Sequence, residues 1–304
     1  MNNRYSLYSS LFLVLLFFVA STVAHAQATR TWVSGVGDDA NPCSRTAPCK
    51  TFAGAISKTA TDGEINCLDP GGFGAVTITK SITIDCSGTF GSVLATNGTN
   101  GIIANITSAS DANKTIKIRG ISIDGGNTGL NGIRVLAANN LVLEDILISG
   151  FAQHGVSVEN SSPGLIKISV IDSSIRNNAL NGFNSFIIGG ATASLSVSRS
   201  NFVNNSVGFN ISQSVKASFT DSLVSGNTNF GINVGIGEVT VTRSEIAHNG
   251  TGVNAGSGAI VRLSSNTIYG NGTGLAGSTI ISMGNNVIEG NSVNGSPTST
   301  IPLH

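Results

Sequence analysis

RSEIAHNGTG, residues 243–252, is followed 22 residues later by SNTIYGNGTG, residues 265–274, with an apolar residue, Asn, Gly, Thr and Gly in register. Taking the apolar residue as register extends the repeat to Leu147, Ile175, Phe202, Val224, Ile246, Ile268 and Ile288, at steps of 28, 27, 22, 22, 22 and 20 residues. Five residues earlier stands a second apolar column: Val142, Val170, Val197, Phe219, Val241, Leu263 and Met283. Two before that come Ile168, Leu195, Ala217, Val239, Val261 and Ile281, so the segment alternates with the period of a strand. Three residues after the register position Gly150 is followed, unit by unit, by Asn178, Asn205, Asn227, Asn249, Asn271 and Asn291.

A unit this short, with no segment of helical length, cannot bury its apolar face alone and must stack on its neighbours. Each strand then pairs in parallel with its equivalent about 4.8 Å along the axis. The repeat therefore predicts an all-β solenoid of coils about 22 residues long. Asn suits the turn because it tolerates left-handed backbone and its amide bonds to the amide above and below. The six Asn residues are expected to form a ladder.

Composition narrows what the solenoid can do. Only 11% of residues are charged and the formal net charge is zero, so no basic face drives nucleic-acid binding. Arg4, the apolar run Leu11–Ala20 and Ala24-His25-Ala26 read as a secretory signal peptide over residues 1–26. That places the protein outside the cytoplasm, secreted or periplasmic, with no membrane span in the mature chain. The expected organisation is a cap segment over 27–60, the solenoid over 61–296 and a tail over 297–304. The four cysteines, Cys43, Cys49, Cys67 and Cys86, then pair in one of three ways, with Cys43–Cys49 and Cys67–Cys86 favoured over a zinc site.

Coils of this length with an Asn ladder resemble the right-handed parallel β-helix of the pectin-lyase-like superfamily, in its secreted bacterial form. The stretch CKTFAGAISKTATDGEINCLDPGGFGAVTITKSITIDC, residues 49–86, is similar to the entry into such domains, with a short helix before the first coils. Phe52, Ala55, Ile56 and Ala60 fall on one face of that helix, which is expected to cap the open end of the core. The resemblance covers about residues 31–295. It implies a fold that carries lyases, hydrolases and adhesins alike, so function has to be sought in the exposed side chains.

One corner column reads Glu144, Asp172, Arg199, Asp221, Arg243, Ser265 and Asn285, alternating in sign from Asp172 to Arg243. Its first reading is charge pairing that fixes register. Its second is a polar groove in which Asp172, Arg199, Asp221 and Arg243 hold a saccharide. The resemblance supplies a check, because galacturonan hydrolases of this fold show NTD, DD, GHG and RIK motifs. Here stand QHG at 153–155 and KIRG at 117–120, with no NTD and no paired Asp inside the coils. The lyases of the fold imply calcium held by an acidic cluster; in this column each acid faces an Arg instead. His154 and His248 are solitary, and the mature chain offers Trp32 and Tyr269 as its indole and phenol rings. The expectation is a non-enzymatic scaffold or weak binder of cell-surface polysaccharide, without cofactor or metal. A polysaccharide lyase or glycoside hydrolase, with calcium under the lyase reading, is the alternative.

Overall fold

The computed structural model describes residues 27–161, 163–187, 190–213 and 215–301. The expected leader and the last three residues of the expected tail lie outside them. The chain winds into a parallel β-solenoid of about ten turns, about 23 residues apart. Three walls run along the axis. One is a ten-stranded sheet of short strands such as Leu147–Phe151, Ser174–Arg176 and Thr267–Tyr269. The other two are joined into a nineteen-stranded sheet where Phe230–Thr242 and Thr251–Ser264 run through the bend between them. Neighbouring strands pair in parallel throughout, as in Ala191–Ser198 on Gly164–Ile171.

Alternation decides which side chains form the core. Along Ala191–Ser198 the Ala and Leu/Val positions are buried and the Thr/Ser positions between them are open. Stacking brings like onto like: Phe183 lies on Phe209 with ring centroids 4.8 Å apart, and Phe209 meets Phe219 edge-on at 4.4 Å.

Two coils depart from the expected register. Ile148, not Leu147, stacks on Ile175, so Leu143, Asp145 and Phe151 replace Val142, Glu144 and Gly150 in their columns. The cause is burial: Ile148 is fully enclosed and Leu147 half so, and a slip of one residue would turn every apolar group of the strand outward. In the last coil Ile280 and Ser282 stack on Val261 and Leu263, where Ile281 and Met283 were expected.

The helix spans Phe52–Lys58, with Phe52 and Ala55 buried against the end of the core. Thr51 caps it by accepting the Gly54 N–H. It stops before Ala60 because Thr59 turns extended and its hydroxyl bonds to Ala55 O and to Thr31 Oγ1. Cys43 is bonded to Cys49, and Cys67 to Cys86. No helix among the described residues is long and apolar enough to cross a membrane.

Candidate functional site: a charged corner and the groove beside it

The corner before the ten-stranded wall is built from residues in left-handed backbone. Asp145, Asp172, Arg199, Asp221, Arg243 and Ser265 all have φ between 47° and 57°. That conformation turns the chain and throws outward a column that strand parity alone would point inward. Each N–H of the column still donates to the neighbouring coil, as Arg199 N to Thr220 O at 3.1 Å, so the bend costs no hydrogen bond.

The expected charge pairing is present as two closed forks. Arg199 donates Nε and Nη2 to the two oxygens of Asp172 at 2.6 and 2.9 Å, and Arg243 does the same to Asp221 at 2.8 and 3.0 Å. These hydrogen bonds hold both carboxyls below the usual range, which suits an ion pair and not a proton donor. Glu144 stands one column over, its Oε2 lying 2.9 Å from Arg119 Nε but out of line for a hydrogen bond. Asp145 takes its place in the corner and carries no ion pair among the described residues.

Between this corner and the ten-stranded wall lies an open groove of about 440 Å³, bordered by Phe90, Ser92, Ser122, Asp145, Asp172 and Ser174. Phe90 is 85% exposed, a large ring held at the rim of a trough that mixes Ser and Asp side chains with Ile121, Ile146 and Leu147. Calcium would need about six to eight oxygens with uncommitted carboxylates. Asp172 and Asp221 are already filled by Arg, and among the described residues no group of three or more His, Cys, Asp or Glu is placed to hold a metal. The residues present do not fit a calcium site.

Three further rows run along the coils, of which the sequence named only the first. The Asn ladder forms as expected from Asn178 to Asn291: Asn227, for example, gives both its N–H and its amide to Asn249 Oδ1 at 3.0 and 2.8 Å. Asn294 closes its end by accepting from Asn291. A parallel ladder of Ser173, Ser200, Ser222, Ser244, Asn266 and Asn286 lines the first corner, each side chain accepting the N–H of the coil before. Its signal was the Ser after each charged corner residue. The third row surrounds His154, whose N–H donates to Asn131 Oδ1 and whose Nδ1 accepts the Asn181 N–H, each at 3.2 Å.

His154 is therefore a rung, and its protonation state matters to the fold. Burial lowers its pKa, while the charge of Glu159 pulls the other way. A folded value below the unfolded one, near 6.5, means the unfolded chain binds the proton more readily. Stability is then complete above that value and falls as the pH drops through it. Thermal melts should lose ground between about pH 7.5 and about pH 5.5, and His154→Asn should flatten that loss. An unchanged slope in the variant would show that the rung does not titrate.

Residues 184–299 match the family model described as a right handed beta helix region. The fold is a right-handed parallel β-helix. Among solved structures it is similar to pectate lyase Pel9A, with a TM-score of 0.52 and 14% identity over 90% of this chain and 76% of that one. It is also similar to the A-module of the Azotobacter vinelandii mannuronan C-5 epimerase AlgE4, with a TM-score of 0.50 and 12% identity over 80% of this chain and 91% of that one. At these identities the likeness is one of fold. No curated protein matches the chain.

Proposed function

We propose that the protein is a secreted, non-catalytic β-helix that holds polysaccharide in the groove beside its charged corner. One observation carries the reading: Asp172 and Asp221 are neutralised by Arg forks while the trough next to them stays open and keeps an exposed ring, Phe90, at its rim. Sugar rings present apolar C–H faces and hydroxyl edges, and the groove offers a surface for each. Two disulfides and the apolar N-terminal run support an oxidising location.

The enzymatic alternative, a lyase or hydrolase acting on acidic polysaccharide, has one specific support. Asp145 is free of Arg and shares the groove with Asp172, which gives one uncommitted carboxylate where a substrate would lie. One set of assays separates the two. The purified mature chain, incubated with polygalacturonate or with alginate in calcium, should release no unsaturated product and no new reducing ends. Phe90→Ala should weaken retention on immobilised polysaccharide by up to about tenfold. Asp221→Asn should leave it nearly unchanged, since that carboxylate is engaged at the exposed ridge. Product formation lost on Asp145→Asn in a folded protein would replace this reading with the enzymatic one.

A further inference from the structure

A second polar surface lies on another wall, built by Ile133–Ala137, Val156–Val158, Asn181–Ser185 and Val207–Ile211. Arg134 gives Nε and Nη2 to the carboxylate of Glu159, with the shortest contact 2.7 Å, and Ser157 Oγ donates to Glu159 Oε1 at 2.9 Å. The pair sits half-buried, with side chains 37% and 28% exposed, so it is fixed in place yet open on one side. Four hydrogen bonds from three donors reach the carboxylate, with Arg134 Nε shared between Oε1 and Oε2 at 3.1 and 3.2 Å; that long, divided bond is the one a ligand hydroxyl on the open side displaces. Arg134 Nη1 remains as a donor beside it.

The surroundings add donors and no net charge. His154 accepts the Asn181 N–H through Nδ1, which puts the proton of the neutral ring on Nε2. Asn184 Oδ1 is filled by amides of Asn181 and Asn210, leaving its own amide as a donor. Phe186 donates its N–H to Val158 O, which sets it in register beside Glu159, and its ring is 44% exposed. Beyond it, Asn210, Asn233 and Asn254 continue the amide row one coil at a time, about 4.8 Å per step.

A donor and an acceptor held side by side are the complement of two adjacent hydroxyls, one accepting and one donating. We propose that this wall is a second saccharide site, in which the Arg134–Glu159 pair grips a vicinal diol of a neutral sugar and Phe186 lies against the face of the ring. Neutrality follows from the site: Arg134 and Glu159 cancel, His154 is uncharged, and a sugar carboxylate would meet Glu159. The amide row gives a linear chain further contacts along the axis. The site shares no residue with the groove at Phe90 and stands whether or not that groove binds.

The test is calorimetry with short oligosaccharides of mannose, of glucose and of galacturonate, at low and high salt. A neutral oligosaccharide should bind with an affinity that salt leaves unchanged, because no ion pair forms or breaks. Phe186→Ala, an exposed position, should weaken it by about tenfold. Arg134→Lys should weaken it similarly, since a point charge cannot make the fork to Glu159 and still hold a separate, fixed donor toward the ligand. Phe90→Ala should leave it intact. The proposal fails if neither neutral oligosaccharide binds, or if oligogalacturonate is preferred and released by salt. It fails equally if Phe90→Ala removes neutral binding and Phe186→Ala does not.

Discussion

Replacing Asn227 with Ala should cost the solenoid about 2 to 3 kcal/mol, against less than about 1 kcal/mol for Asn291→Ala. Asn227 is 1% exposed, and its side chain works in both directions. Its Oδ1 accepts the N–H and the amide of Asn205 at 3.0 and 3.3 Å, and its own amide donates to Asn249 Oδ1 and to Phe202 O. Alanine would leave the Asn205 N–H without its acceptor and take one donor from the Phe202 carbonyl in a place water cannot reach, and unmade buried bonds cost more than formed ones gain. Asn291 makes a similar set, but its partner Asn294 lies at the exposed end, where water replaces what is lost. Denaturant melts of the two variants decide it. Equal losses at both positions would mean that the amides act as isolated turn residues and the stack adds nothing.

The ladder was legible because its rungs recur at fixed steps from Asn178 onward, and the same regularity made the later coils easy to register. Register failed where the step changes. Between Leu147 and Ile175 two adjacent apolar residues, Leu147 and Ile148, both fit the pattern, and only burial distinguishes them. The proposed binding surfaces fared worse for a physical reason. Arg134, His154, Glu159, Asn184 and Phe186 come from three successive coils; Asn184 alone recurs coil by coil, as Asn210, Asn233 and Asn254, while the other four do not repeat, so nothing in the sequence marks them as neighbours. Phe90 sits in a turn of the early, irregular coils, and a lone Phe in an apolar-rich chain reads as core. The charged corner was visible as alternating sign. What the sequence could not supply was the left-handed backbone that turns Asp172, Arg199, Asp221 and Arg243 outward.

Removing residues 27–60 should make the chain aggregate, the largest change expected of any alteration to it. The segment covers the first coil in two ways. The strand Ala28–Val33 pairs in parallel with Thr59–Cys67, and the helix Phe52–Lys58 lays Phe52 against Phe73 with ring centroids 5.2 Å apart. Without it, one edge of the remaining strand, residues 61–67, presents unpaired N–H and C=O groups, and Ile65, Phe73 and Ile84, now fully buried, lie next to solvent. An open parallel edge above an apolar core is a template for a second chain. The segment is itself well anchored: Asp39 accepts the N–H groups of Lys50 and Thr51 at 2.8 and 2.9 Å, and the Cys43–Cys49 bond closes the loop before the helix. A control separates lost cover from lost staple. Cys43→Ser with Cys49→Ser opens a loop spanning six positions and should cost about 2 kcal/mol without changing the state of association. Sedimentation should therefore find the double variant in the same state as the intact chain and the truncation further associated. If the truncated chain instead sediments as a monomer and unfolds cooperatively, the first coil protects its own edge and the helix does not serve as a cap.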